Sequence, residues 1–258
     1  MDRENTPYAS ELAARISRER EAYNETLQRA TYDSVLSHAS AISHRRMVAD
    51  AQAIMRSKAG GRFLELGSYT WIAWIDRSDI VPGELHCINI SEAELDIGRR
   101  HLAHSRVKPF LHLMDAHTLE FEDGTFDLVF GTGILHHLDL KVAISEVKRV
   151  LKPGGQAIFF EPLGTNPVGN LVRVLTPRAR TVDERPLSMS DLRLLKSNFQ
   201  CDMRYLQLLS VPAGLLSRVL FRSGDNALMR AADVCDRALE PLLGPIYRYV
   251  LICATKMS

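Results

Sequence analysis

The 258-residue chain has no apolar run approaching the ~20 residues that cross a bilayer, so no stable membrane insertion is expected. It has no charge excess either: 32 Lys and Arg stand against 31 Asp and Glu, a formal net charge of +1. That balance gives no support for a nucleic-acid partner. Cysteine is scarce and scattered, at Cys87, Cys201, Cys235 and Cys253, with no CxxC pair. Reduced, buried thiols in a cytoplasmic protein are the expectation, and no metal-ligand set is expected. The first residues, MDRENTPYASELAARISRER, are polar and charged, unlike a secretory leader. Internal repeats and low-complexity tracts are lacking. Residues 10–57 lack both proline and glycine.

That last absence marks helices. Residues 10–57 are rich in Ala, Glu, Arg and Leu and predict two or three of them, an N-terminal helical cap over 1–58. Gly60-Gly61 ends the region. Beyond it, short apolar runs alternate with helical stretches. Strands are predicted at RFLEL (62–66), ELHCINI (84–90), KPFLHLM (108–114), TFDLVFG (125–131) and QAIFFEP (156–162). Helices are predicted at about 69–77, from Ser91 with Glu94 as a capping pair, and at about 139–151. Regular alternation of this kind gives a parallel sheet with helices on both faces. Residues 163–187, with Pro167, Pro177 and Pro186, are too long for an ordinary connection and read as a lid. A helix near 188–198 follows, capped by Ser188 or Ser190. Two closing strands are predicted at 202–211 and 246–255. Between them, 213–243 read as a helical insertion, open to three uses: covering a pocket, forming a homodimer face, or resting on a membrane surface.

The densest segment runs FGTGILHHLDLKVAISEVKRVLKPGG from Phe130, preceded by DAHTLEFEDGTFDLV from Asp115. It resembles the middle of the class I S-adenosylmethionine-dependent methyltransferases that act on small molecules. The resemblance covers about 60–160 well. It implies an α/β fold: a doubly wound, mostly parallel seven-stranded Rossmann-like sheet, its last two strands an antiparallel hairpin. It also implies S-adenosylmethionine as cofactor, held at the carboxyl ends of successive strands where open α/β sheets bind ligands.

Four such ends are recognisable. At the first, the resembled enzymes carry an acidic residue and three alternating glycines. Here Glu65 and Gly67 match, with Ser68 between the glycine and the turn, but Tyr69 and Trp71 occupy the other two positions. Both rings fill space where backbone would otherwise approach a ligand, and both are expected to alter the cofactor's pose. At the second end stands Asn89, 22 residues after Gly67, where an Asp or Glu usually accepts from the ribose hydroxyls. Asn keeps one carbonyl acceptor and loses the charge. Ile90 would pack on the adenine. At the third, Asp115 would accept from the adenine amino group and Ala116 would offer its N–H. At the fourth, Gly131 and Thr132 would lie along the methionine part.

Methyl transfer asks an enzyme to position an acceptor and manage one proton. His136 and His137, just beyond the fourth strand, are the base candidates, and Glu161, ending the fifth, is the other candidate catalytic group. A structural histidine at a helix start and an ion-paired Glu161 are the competing readings. Arg173, Arg178, Arg180 and Arg185 are either a clamp for an anionic substrate or a solvated lid with internal pairs to Asp183 and Glu184. The pattern EPLGTNP…LTPRARTVDERPL looks like a bacterial subgroup found with glycan and specialised-metabolite chemistry. The expected activity is methylation of an oxygen or nitrogen on a small molecule. The alternative is a diverged member of the fold that promotes cyclisation, isomerisation or elimination, or a non-catalytic partner.

Overall fold

The computed structural model describes residues 7–24, 36–67, 69–167, 170, 171, 174 and 184–257. Helix α1 spans Pro7–Asn24, a single turn α2 Ser37–Ser40, and α3 Ser43–Ser57. Then come β1 (Arg62–Leu66), a π-helical turn (Ile72–Asp76), β2 (Glu84–Asn89), α4 (Glu92–Leu102), β3 (Phe110–Leu113) and β4 (Phe126–Thr132). A 3-10 turn (Leu135–His137), α5 (Leu140–Val150), β5 (Leu151–Pro162), α6 (Met189–Asn198) and β6 (Gln200–Leu206) follow. The chain closes with α7 (Ser210–Leu220), α8 (Ala227–Leu243), a second 3-10 turn (Gly244–Ile246) and β7 (Tyr249–Thr255).

One seven-stranded sheet runs in the order β3-β2-β1-β4-β5-β7-β6. All neighbours are parallel except β7, which is antiparallel to both β5 and β6. This is the expected doubly wound sheet with its C-terminal hairpin. Strand order reverses between β1 and β4, so the ligand crevice of the fold opens there.

The helices stop and start where their caps dictate. Ser91 accepts from the Glu94 N–H at the head of α4, and Asp139 accepts from Lys141 and Val142 at the head of α5. Ser188, with Asp191, forms a full capping box on α6. Burial is two-sided. On one face Ile144, Val147 and Leu195 pack on Leu64, Val129, Ala157 and Ile252; on the other Met47, Met55, Trp71 and Trp74 pack on Phe63, Leu128, Phe130 and Ile158. Strands buried on both faces read as continuous apolar runs, as FDLVFG does. Helix α3, for its part, presents Met47, Ala51 and Met55 directly to the sheet.

Boundaries moved near the C-terminus. β6 ends at Leu206, and the insertion begins at Ser210, earlier than its composition indicates. The turn between them is held by polar atoms. Gln207 adopts a positive φ of 69° and its buried side chain bonds Ser43 and Arg248. Asp236 of α8, 1% exposed, accepts from the Leu208, Leu209 and Ser210 N–H groups. The insertion docks on the N-terminal helices: Gly214 meets Ala39 so closely that a Cβ would lie 2.7 Å away, and Asp233 pairs with Arg46 at 3.0 Å. Its outer face keeps Leu216, Val219 and Leu220 exposed. Of the thiols, Cys87 and Cys253 are buried as expected, whereas Cys235 is exposed on α8 because it falls on that helix's solvent side. Among the described residues no helix is long and apolar enough to cross a membrane.

Candidate active site

The carboxyl ends of β1, β2, β3, β4 and β5 lie on one edge of the sheet, and every described site residue expected from the sequence, Arg185 apart, lies on or just after one of them. Ser68 falls outside the described residues, as do Arg173, Arg178 and Arg180.

At the β1 end the backbone turns at Gly67, φ +91°, where a Cβ would lie 2.8 Å from Ile134 Cδ1. Only glycine fits this turn. Glu65 is 1% exposed and points along the turn: its Oε1 accepts from the Thr70 and Trp71 N–H groups, the first donors of the π-helical turn. Burial pushes its carboxyl up to about 7, opposed by the nearby Cys87 thiol and those two N–H groups. In turn, burial and the neighbouring carboxylate raise the Cys87 thiol well above its ordinary range.

Trp71 takes a different position from the one its sequence location indicates. Its ring is 0% exposed, packed in the core cluster with Trp74 and edge-on to His101 at 5.5 Å between centroids. Tyr69 is half-buried against the same cluster. The two nonetheless form part of the wall of a shallow, narrow cleft shared with Gly67, Ile88, Asn89 and Leu95. The missing glycines are thus replaced by a carboxylate-capped π turn that swings its aromatics inward.

Asn89 is occupied by the same turn. Its Nδ2 donates to the Gly67 carbonyl, and its Oδ1 accepts from the Ser91 N–H at 2.9 Å. Asp could not make the first bond, because a carboxylate has no hydrogen to donate. Ile90 beside it is half-buried. At the β3 end Asp115 Oδ1 accepts from the His117 N–H at 2.9 Å and lies 2.7 Å from its Nδ1. Burial would raise the Asp115 carboxyl; the hydrogen bonds from His117 outweigh it and hold the group below its usual range. His117 Nε2 accepts from the Asp139 N–H, so one imidazole ties the β3 end to the cap of α5. Ala116 is buried next to it. At the β4 end Gly131 approaches Leu66 O so closely that a Cβ would lie 2.7 Å from it, and Thr132 Oγ1 meets Thr70 Oγ1 at 2.7 Å.

The β5 side is different in character. Glu161 is fully buried: Oε1 accepts from the Ile134 and Leu135 N–H groups at 2.9 and 2.8 Å, and Oε2 lies 2.7 Å from His136 Nδ1. His136 and His137 are consecutive in the 3-10 turn, each 8% exposed, with ring centroids 4.1 Å apart. Burial lowers the His137 pKa, only partly offset by Glu19, whose Oε2 lies 3.1 Å from Nδ1. Glu184 Oε1 stands 3.9 Å from His136 Nε2. One ligand atom each from His136, His137 and Glu184 falls within 4.8 Å of the others.

Sequence reasoning therefore found His136, His137 and Glu161 but missed Glu19, Glu184 and His117. Glu19 sits on α1, which carries no local signal for a site; α1 packs on α4 and reaches the crevice only through the tertiary fold. Glu184 was read as a solvated partner for lid arginines. Instead it is tucked in because the Arg185 N–H donates to the His136 carbonyl at 3.1 Å. Arg185 itself points away, 66% exposed beside Asp191, so it does not clamp a substrate in the crevice.

Residues 66–159 match the family described as methyltransferase domain. That match spans 94 of the 258 residues, from the end of β1 through most of β5. It is 29% identical over 175 residues to a demethylmenaquinone methyltransferase of Symbiobacterium thermophilum, covering 66% of this chain and 64% of that protein. The shared segment thus spans slightly less than two thirds of this relative. Among solved structures, Haemonchus contortus phosphoethanolamine N-methyltransferase 2 in complex with S-adenosyl-L-methionine shares the fold at TM-score 0.61, with 17% identity over 93% of this chain and 60% of that one. The [4+2]-cyclase SpnF shares it at TM-score 0.52, with 20% identity over 81% of this chain and 80% of that one.

Proposed function

We propose that the protein transfers a methyl group from S-adenosylmethionine to an oxygen or nitrogen of a small molecule in bacterial specialised-metabolite or glycan biosynthesis. The observation that carries this reading is the buried Glu161–His136 pair at the carboxyl ends of β4 and β5, on the same edge of the sheet as the Gly67, Asn89 and Asp115 strand ends. Those ends suit the cofactor. Gly67 and Gly131 leave the β1 and β4 ends without Cβ atoms that would collide with Ile134 and Leu66. Asp115, Ala116, Asn89 and Ile90 would hold the adenosine part, and Gly67, Gly131 and Thr132 the methionine part. When bound there, S-adenosylmethionine supplies an electrophilic methyl group.

The chain's own residues do the rest. Glu161 fixes the His136 ring, because its other oxygen is pinned by two backbone N–H groups and cannot swing. With Nδ1–H donated to Glu161, the lone pair of His136 lies on Nε2, the atom able to take a proton from an acceptor hydroxyl or ammonium. His137, held neutral by burial, is the second such atom. Glu19 of α1 and Glu184 close the crevice and exclude water.

Calorimetry with S-adenosylhomocysteine tests the cofactor site: Asp115→Ala should weaken binding by about 1–3 kcal/mol. No binding by the native protein at millimolar nucleoside would sink the reading. An acceptor panel, with demethylmenaquinone among the phenols, glycans and amines, identifies the product by mass. A second reading is favoured by Tyr69 and Trp71 at the glycine positions: a non-methylating cyclisation, isomerisation or elimination on the same fold. It wins if a rearranged product of unchanged mass forms.

A further inference from the structure

The turn at His136 and His137 carries more ligating atoms than a single proton transfer needs. Two imidazoles and the Glu184 carboxylate bring one ligand atom each to within 4.8 Å of one another. Ligands sharing one ion at ~2.0–2.2 Å stand about 3 Å apart, so side-chain shifts of about an ångström would close the set. His136 Nε2 and Glu184 Oε1 are already at 3.9 Å.

The supporting atoms have the order found around bound metals. Glu161 Oε2 lies 2.7 Å from His136 Nδ1, and the carboxylate is itself held by two backbone N–H groups. This orients Nε2 outward, as in carboxylate–histidine–metal arrangements. Glu19 Oε2 stands 3.1 Å from His137 Nδ1, a charge contact on the second ring. The backbone segments bearing the ligands are also cross-linked. The Arg185 N–H donates to the His136 carbonyl at 3.1 Å, and the Leu187 N–H to the Pro162 carbonyl at 2.9 Å. The segment bearing Glu184 is therefore tied to the 3-10 turn by one backbone bond and to the end of β5 by another. Both imidazoles are 8% exposed and the Glu184 side chain is 17% exposed. Ligands on rigid, supported elements are what a metal site requires.

We propose that His136, His137 and Glu184 bind one divalent first-row transition-metal ion at the acceptor end of the crevice. Two nitrogens and one oxygen suit Zn²⁺, Co²⁺, Mn²⁺ or Fe²⁺ and disfavour Mg²⁺ and Ca²⁺, which prefer oxygen sets. Three protein ligands leave coordination positions open to a hydroxyl or phenol oxygen of a small molecule. Acceptors bearing such an oxygen next to the reacting atom are the class this site would orient. The binding itself does not depend on methyl transfer; an ion on the His136 Nε2 lone pair would replace that nitrogen as base and instead lower the pKa of the coordinated acceptor hydroxyl.

The test uses the 258-residue protein stripped with a chelator and titrated with Co²⁺, without cofactor, following the visible d–d absorption. The expected result is one saturable equivalent in the micromolar range or tighter, displaced by Zn²⁺. Glu184→Gln and His136→Gln should each weaken it at least tenfold. Glu161→Gln, which touches no ion, should weaken it about 10–100-fold through the histidine it orients. His86→Ala, in the stacked His86–His112 pair on β2 and β3, is the control and should leave it intact. Unchanged circular dichroism and melting of each metal-free variant shows that folding is preserved. The proposal is overturned if no saturable Co²⁺ equivalent appears at millimolar concentration. It is equally overturned if the equivalent survives in both Glu184→Gln and His136→Gln, or disappears in His86→Ala. Because S-adenosylhomocysteine binding is read separately, failure here leaves the methyltransferase reading standing, and the reverse.

Discussion

The two halves of the crevice are built on opposite plans. At the β1, β2 and β3 ends, polar side chains are spent on backbone: Glu65 on Thr70 and Trp71, Asn89 on Gly67 and Ser91, His117 on Asp139. At the β4 and β5 ends, His136, His137, Glu161, Glu184 and Glu19 face one another. The first plan shapes a cradle; the second concentrates titratable groups out of water, where they interact most strongly. Departures from the expected motif are therefore tolerable in the first half, where another hydrogen bond can hold the same turn, and costly in the second.

The largest effect should come from the second half. His136→Gln is expected to lower turnover by roughly 10²–10⁴ while leaving S-adenosylhomocysteine affinity within about twofold. Full activity in this variant and in His137→Gln would erase the distinction between the halves. Next comes the pH dependence of stability through Glu65. The folded protein holds this proton up to about 7, against an ordinary value of 4.5. Between those limits the folded state binds more protons than the unfolded chain, so stability falls as pH rises through the window. The loss above it is on the order of 3 kcal/mol. Glu65→Gln should keep stability flat from about pH 4.5 to 7, measured by urea denaturation; an unchanged slope would assign the dependence elsewhere.

A smaller cost attends the close contact at β4. Gly131→Ala, whose Cβ would meet Leu66 O at 2.7 Å, should destabilise by about 1–3 kcal/mol. Gly98→Ala on α4, with Leu111 no nearer than 3.5 Å, should be neutral or slightly stabilising in the same denaturation series. The smallest change is Asn89→Asp. It places a carboxylate oxygen against the Gly67 carbonyl and should cost about 1 kcal/mol. Equal stability of Asp and Asn would mean that the β1 turn is held by Glu65 alone.

These halves were unequally legible. Gly67, Gly131 and the RVLKPGG stop announce themselves because glycine and proline act on the backbone locally. Asp115 was found by its place after an apolar run. The exchange of glycines for a π turn was not readable, since Glu65 supports that turn across five and six residues through a buried carboxylate. The His-His turn was visible in sequence, but Glu19 and Glu184 were not, as they lie 118 and 47 residues from His137.

The sequence by itself determined the strand–helix alternation, the sheet it forms and the strand ends that matter, because periodicity, caps and breakers act over a few residues. Only the tertiary structure decided where Trp71 points, that α1 lays Glu19 on His137, and that Glu184 comes to lie beside His136. Those contacts join residues far apart along the chain. They exist only once burial of α3 and the two core faces has fixed the elements in place, and side-chain chemistry alone does not say which distant group will arrive.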